Sequence, residues 1–578
     1  VLTELKPEAL PTAPENTVNL SQSSRGDFLW PFACLALVEL VAFGINAGSV
    51  GVYQDEWISF GSLHFVNQSI PDLIAAFNAD PRKIVRPLQF LNIPVLFYFV
   101  KESPLWYHIV SYTAEFFSSC FLYLAISRLA GSRAVALGAA VLFLLYPSHD
   151  STHYSIVLLN SAMDTMFFTM SLWLFIKGLQ DNRLSLLLWS SVAYCASIYT
   201  REEFLPMVVL FPLTSVLLTR KTLLKNREAL AKNWLRLASY SLPALLAVAS
   251  LVIYRAWLLP KMNLGWKYHQ VYSLSNFTSV VEAGLRSNLS PDTFAYCIAS
   301  TERALSDGVS LVCWALLGAT VSLLFIALLR AGVQPTNSLE EAAPATSKNV
   351  NLAIVGLVTL LVSYTLFGLS PEHMPTLDTW LNRVNLGGSL GACMIIAALL
   401  GVNAFKESRR LTATIFAASI SLLAGLFILV NWQLAEPWKV SWKAQKQLIT
   451  FLRSHSSEIK SGDTIIIGDI GRYTSKATPV VDGDWDWENI VRTTLDDPTL
   501  KGTVVTERLF VEGDTLVDPP CGTYEFSKML LFSPKRGAVL TRVRSRDEFM
   551  QQAQQLGWTI ATGQSATPTS QVNPRSGE

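Results

Sequence analysis

Charge is what this sequence has least of. Lys, Arg, Asp and Glu make up 15% of its 578 residues, against about a quarter in ordinary soluble proteins, which excludes a purely soluble enzyme. Neither sign is in excess: 45 basic and 44 acidic residues leave a formal net charge of +1. Nothing in that balance directs the chain to nucleic acid or to an anionic surface. Cysteine is scarce and odd in number, at seven. Cys34, Cys120, Cys195, Cys313 and Cys393 fall in apolar runs, where a thiol behaves as a small hydrophobe, and only Cys297 and Cys521 lie in polar segments. No HExxH zinc motif and no solenoid-length repeat occurs. Residues 1–27, with Pro7, Pro11 and Pro14, lack the basic region and cleavage site of a signal peptide. They are expected to form a flexible cytoplasmic tail ahead of a signal-anchor helix.

What the sequence has in abundance is long apolar runs, with 51% hydrophobic residues and a mean hydropathy of +0.34. Eleven of them begin near Phe28, Trp106, Ala134, Ser161, Leu184, Phe204, Leu235, Val309, Asn351, Val384 and Leu411. Each approaches the roughly 20 residues that cross a bilayer. A twelfth stretch, residues 87–100, carries Gln89, Asn92 and Pro94 and at about 14 residues suits an in-plane helix better than a span. Parity decides the matter, because basic loops belong in the cytoplasm and one extra crossing reverses every later loop. With eleven spans, Arg128 and Arg133, Lys177 and Arg183, the basic group from Arg220 to Arg236, Arg330 and Lys348, and Lys406, Arg409 and Arg410 share one side. The other side has no Lys or Arg in residues 146–160, only Arg201 in 200–203 and only Arg383 in 370–383.

The expected protein is therefore a polytopic α-helical membrane protein of about eleven transmembrane helices, spanning residues 28–432. Its N-terminus is cytoplasmic, and its first external loop, residues 51–105, carries in-plane helices. After the last span the composition turns soluble. Residues 433–563 are expected to form a small external α/β domain, with a helix at 440–455, strands at 464–467, 503–506 and 538–541, and a helix at 546–555. Residues 564–578 are expected to be disordered. An integral protein of the bacterial inner membrane, with this domain in the periplasm, fits that layout.

The unusual polar residues gather at the external ends of the first six spans. Asp55 and Glu56 are adjacent acids just beyond the first span, where one could act as general base or metal ligand while the other sets its position. Such dipeptides are more often simply solvated. Arg86 opens the in-plane stretch and suits a phosphate or one of those acids, or else a lipid headgroup. His149 and His153, four apart beside Asp150, share a face if helical, as a metal pair or, more commonly, as hydrogen-bonders around a polar cavity. Asp164 enters a span, where an acid needs a wet interior or a partner. The Thr200–Phe204 turn holds Arg201, Glu202 and Glu203, which could pair among themselves or meet an anionic donor. Glu39 and Glu115 are further acids within spans. A transporter would be expected to keep its polar groups nearer the midplane. This grouping instead describes a cavity opening outward, fit for a substrate with its tail in the bilayer and its head group at the interface.

In the order of these elements residues 28–218 resemble the GT-C superfamily of membrane glycosyltransferases, above all the protein O-mannosyltransferases and the related bacterial enzymes that glycosylate lipids. The acidic pair Asp55-Glu56, the Arg86-Pro87-Leu88 segment, the stretch 142–164 with its Pro-Ser-His and later Asp, and the Arg201-Glu202 turn carry the likeness. No tetratricopeptide array and no "WWD" motif is evident, which disfavours those branches. The resemblance implies an inverting glycosyltransferase that moves a sugar from a polyprenyl-phosphate donor to a hydroxyl of a protein, lipid or glycan acceptor on the external face. It implies Asp55 as general base and Glu56 as its support or as a guide for the acceptor. Arg86 and Arg201, with Glu202, would hold the donor phosphate, and Asp164, His149 and His153 would line the acceptor side. Branches of the superfamily differ in their use of Mg or Mn, so Asp55 and Asp164 stand as candidate ligands of a divalent cation. The rival readings are a catalytically inactive GT-C-like subunit of a larger complex, and a transporter or flippase working through Glu39, Glu115 or Asp164.

Overall fold

Each apolar run folds into a helix because nothing but an intrachain ladder satisfies the backbone in hydrocarbon. The computed structural model describes residues 25–225, 230–261, 273–333, 345–369, 373–402, 409–476, 478–519, 522–536 and 539–562. The N-terminal tail expected over residues 1–27, the C-terminal tail and Cys521 lie wholly or almost wholly outside them. Among the described residues nine helices are long and apolar enough to cross a membrane, from Leu29–Asn46 to Arg410–Ser454. Of three shorter apolar helices, Arg133–His149 and Leu184–Thr200 occupy the third and fifth expected positions, and Gln89–Val100 covers the stretch expected to lie in the membrane plane. The stretch 87–100 breaks into a single turn, Gln89–Leu91, and a seven-residue helix, Pro94–Val100. Pro94 starts that helix, and its length of about 10 Å falls well short of a bilayer core.

Ahead of this helix the first external loop forms the helices Asp55–His64 and Ile70–Asn78. The second is capped by Ser69, whose hydroxyl accepts from the Asp72 N–H.

The last span does not stop at the membrane. Arg409–Ser454 is one helix of 46 residues, about 69 Å long, so it carries the chain past the expected boundary at 433 and becomes the first helix of the external domain. That domain contains two sheets. Strands β1 (Thr464–Ile467), β2 (Lys501–Val504), β6 (Met529–Ser533) and β7 (Val539–Val543) form the first, in the order β2-β1-β6-β7, with β7 alone antiparallel. Strands β3 (Phe510–Glu512), β4 (Thr515–Asp518), β5 (Gly522–Glu525) and β8 (Ala561–Thr562) form the second, in the order β5-β4-β3-β8. Helix Asp484–Leu495 makes the crossover from β1 to parallel β2. The helix expected at 546–555 is present as Arg546–Gln555.

Membrane-side and external elements share a core. Trp57, Phe60 and Leu63 of the first-loop helix are buried in one apolar cluster with Ile465, Ile467, Trp487 and Phe532 of the external domain. Burying each such side chain contributes about 1.5–3 kcal/mol. The approach is so close that a Cβ on Gly61 would collide with the Asn489 side chain, and one on Gly51 with the Trp442 ring. The Trp57 indole N–H donates to Gln445 Oε1 at 3.0 Å and the Tyr53 hydroxyl to the Trp438 carbonyl at 2.7 Å. The external domain is thereby clamped onto the helix that begins with Asp55.

Candidate active site

Asp55 and Glu56 part company in the structure. Asp55 is exposed and lines a cleft of about 210 Å³. Glu56 is buried at 1% exposure. Its Oε2 accepts from the Tyr53 N–H at 2.6 Å, and its Oε1 from the Ser155 hydroxyl at 2.7 Å and the Val157 N–H at 3.0 Å. Burial pushes its pKa up to about 8, against the pull of those hydrogen bonds. The acid thus ties the start of the Asp55–His64 helix to the loop between the third and fourth expected spans. Gln54, immediately before Asp55, sits at φ 49°, ψ −128°, a conformation costly for a residue with a side chain and typical of functional sites. As the first residue of its helix, Asp55 also lies where the helix dipole favours a carboxylate.

The cleft is also lined by Arg383, the one basic residue expected in its loop, together with Trp380, Trp438, Ser151 and Ser155. The Arg383 guanidinium lies 4.1 Å from the Trp380 ring centre, a cation–π contact that holds it over the aromatic face. It is in electrostatic reach of Asp55, Arg86, Arg201 and Glu203. Its loop is anchored by Asn382, whose amide donates to the buried carboxylate of Asp150 and whose carbonyl oxygen accepts from the Ser151 N–H at 3.3 Å. Tyr473 and Asp482, from the external domain, complete the lining.

The remaining expected residues are placed beside or behind this cleft. Arg86 makes a two-pronged pair with Glu202, Nε to Oε2 at 2.9 Å and Nη2 to Oε1 at 3.1 Å. Arg255 joins the same carboxylate at 3.1 Å. Arg201 is buried, bonded to the Ser161 hydroxyl at 2.7 Å and paired with Glu203 at 2.8 Å. Asp164 is fully buried and takes the Ser197 hydroxyl. His149 and His153 do share a face, with ring centres 5.1 Å apart, but they line a different, smaller pocket of buried residues together with Glu115. There His153 Nδ1 meets Glu115 Oε2 at 2.6 Å and His149 Nδ1 meets the Ser389 hydroxyl at 3.0 Å.

Arg255, Arg383 and Tyr473 were not singled out as site residues from the sequence, whereas Asp482 opens the acid- and Trp-rich segment 482–487, which the sequence offers either as a glycan-holding surface or as a turn beside a packed aromatic pair. Arg255 had a signal, since a basic residue in an apolar run needs a partner, and it lies in a π-helical turn, Tyr254–Leu258, of the kind found at functional positions. Arg383 stood out only as the sole base of its loop. Among the described residues no group of three or more His, Cys, Asp and Glu is disposed to hold a metal. Asp55 lines the cleft and Asp164 is sealed behind it, so the two candidate ligands do not converge.

Among the described residues nine helices long and apolar enough to cross a membrane, a C-terminal α/β domain and one acid- and arginine-lined cleft where the two meet define a polytopic membrane protein. No established family's sequence profile matches the chain, and no curated protein does. Crystal structures of ArnT from Cupriavidus metallidurans are similar in outline at 12% identity and cover 82% of this chain. The apo structure matches over 86% of its own length with a TM-score of 0.34, and the one bound to undecaprenyl phosphate over 85% with a TM-score of 0.33. At that similarity the residues of the cleft, not the relatives, decide the chemistry.

Proposed function

We propose that this chain is an inverting membrane glycosyltransferase whose donor is a polyprenyl-phosphate sugar and whose general base is Asp55. The observation that carries the reading is the split between the two adjacent acids: Glu56 is buried and locked, and Asp55 is presented to the cleft that Arg383 also lines. In the proposed step the acceptor hydroxyl gives its proton to the Asp55 carboxylate as its oxygen bonds to the anomeric carbon. The bond from that carbon to the phosphate oxygen breaks, and its electron pair leaves with polyprenyl phosphate. Arg383 faces the charge that develops on that phosphate, and a partly dehydrated cleft makes the attraction stronger than in water. Glu56 is a positioning residue. Arg86, Arg255 and Glu202 brace the cleft's membrane side rather than touching the reacting atoms, and Arg201, Glu203 and Asp164 support it from within the bundle. No step is routed through a metal, because the candidate donors do not converge.

A lipid-linked donor suits the place. Trp380 opens the Trp380–Gly401 candidate span and Val157 and Leu158 begin the Ile156–Gln180 one, so one wall of the cleft is the end of the bundle, where a head group arrives with its tail in the bilayer. We place the cleft on the external face of the plasma membrane, following the distribution of basic loops. The inactive-subunit reading expects a blocked cavity, and the open cleft favours catalysis.

The test is transfer by the purified protein in liposomes, given polyprenyl-phosphate sugars and, separately, nucleotide sugars. Release of polyprenyl phosphate is the expected result. Consumption of nucleotide sugars, or of no donor, contradicts it.

A further inference from the structure

The cleft has a second wall, and it comes from the external domain. Residues 471–482 leave β1 and return through a bridge between Tyr473 and Pro479. Their position is held by three contacts to other parts of the chain. The Thr474 hydroxyl donates to the Pro437 carbonyl at 2.8 Å, the Ser441 hydroxyl donates to the Pro479 carbonyl at 2.5 Å, and Lys476 pairs with Asp378 at 2.9 Å. This loop delivers Tyr473 and Asp482 to the cleft that Asp55 lines. The two are joined, since the Tyr473 hydroxyl donates to Asp482 Oδ1 and Arg472 pairs with the same oxygen at 3.6 Å. Asp482 is held in turn by its backbone N–H, which donates to the buried carboxylate of Asp486 at 2.9 Å.

We infer that this loop is the acceptor wall of the site and that the acceptor is a carbohydrate. The inference rests on the transferase reading and adds the acceptor's chemical class. Four aromatic residues, Tyr53, Trp380, Trp438 and Tyr473, line the cleft with two acids, Asp55 and Asp482; Tyr53 and Trp438 are buried and Arg383 covers one face of Trp380, so the Tyr473 ring is the exposed one. Aromatic rings cover the apolar C–H faces of a pyranose, and carboxylates accept from its hydroxyls. Tyr473 keeps 44% of its surface exposed, leaving its ring available at the mouth. The donor's tail arrives from the bundle side, so the wall supplied by the external domain is the one a water-borne glycan reaches. A lipid acceptor would call for an apolar channel and a peptide for a free strand edge. The Asp482–Trp487 segment is thus divided: Asp482 serves the cleft, while Trp487 is fully buried and donates to the Ile465 carbonyl at 2.9 Å.

The experiment measures binding of hexasaccharides of glucose, mannose, galactose and N-acetylglucosamine to the full-length protein in nanodiscs, by saturation-transfer NMR without donor. At least one hexasaccharide is expected to bind, and Tyr473→Ala to weaken it about tenfold, the loss of one ring contact. Tyr473→Phe keeps the ring and is expected to restore most of the affinity, which separates a lost contact from a misfolded loop. Binding is expected to persist with saturating polyprenyl-phosphate sugar present. Absence of binding by every hexasaccharide, equal binding by Tyr473→Ala, or displacement by the donor overturns the inference. Failure of the transferase reading is told apart by the liposome assay: donor turnover without saccharide binding sinks only the acceptor assignment, whereas no donor turnover sinks the reading beneath it.

Discussion

The protein holds two polar cavities that differ in what their polar groups face. In the smaller pocket Glu115, His149 and His153 meet partners supplied by the surrounding helices, an imidazole, a carboxylate and the Ser389 hydroxyl. In the cleft Asp55, Arg383, Tyr473 and Asp482 come from three segments and line the larger space of the two. A buried polar group in a bundle is costly unless paired, and this pocket pairs His153 Nδ1 and His149 Nδ1 but leaves His153 Nε2 without a partner. The cleft holds the exposed Asp55 and Gln54, one of five described non-glycine residues at positive φ.

The comparison breaks or sharpens most with Asp55→Asn against Glu115→Gln, both measured as polyprenyl-phosphate release in liposomes. Removing the proposed base is expected to lower turnover by about 10³-fold, within the usual range for general bases. Changing the pocket acid is expected to keep turnover within about tenfold while lowering stability by about 1–3 kcal/mol through a lost buried hydrogen bond. Next in size is Arg383→Ala, expected to cost about 10²-fold in kcat by removing charge from the leaving phosphate. Arg383→Lys is expected to recover part of that, which a purely structural role would not predict.

Glu56→Gln is expected to lower kcat about tenfold with KM little changed. The amide replaces one acceptor oxygen with a donor that faces either the Tyr53 N–H or the Ser155 and Val157 groups. The smallest effect is on pH. Because burial raises the Glu56 pKa to about 8 from its ordinary 4.5, the folded state holds a proton that the unfolded state has lost between those values. Stability from this group is full below about 4.5 and declines as pH rises through about 8. Thermal unfolding of wild type should show that decline, and Glu56→Gln should flatten it.

Much of this was legible in the sequence. Hydropathy gives the apolar helices, and one of the two acids after the first of them, Asp55, is at the cleft. The strand at 464–467 and the helix at 546–555 were visible because apolar runs and period are local signals, whereas the strand expected at 503–506 starts two residues earlier, as Lys501–Val504. β6 (Met529–Ser533), fully buried at the centre of its sheet, is short and uniform, and periodicity does not separate such a run from a piece of helix. The site was less legible for a related reason. His149 and His153 satisfy every local rule for a functional pair, yet Glu115 and Ser389 take up their imidazole Nδ1 atoms from other helices. Tyr473 satisfies none, and it and Asp482 reach the cleft because a 46-residue helix and a shared core set the external domain against the first loop. Which acids and rings converge is a property of tertiary packing, not of spacing along the chain.

The most direct test of the claim that chemistry belongs to the cleft is to photolabel the protein in liposomes with a polyprenyl-phosphate analogue carrying a photoreactive group beside the phosphate, then map the modified residues. The account predicts labels within residues 53–55 and 380–383. Labels confined to the smaller pocket, around Glu115, His149 and His153, would contradict it.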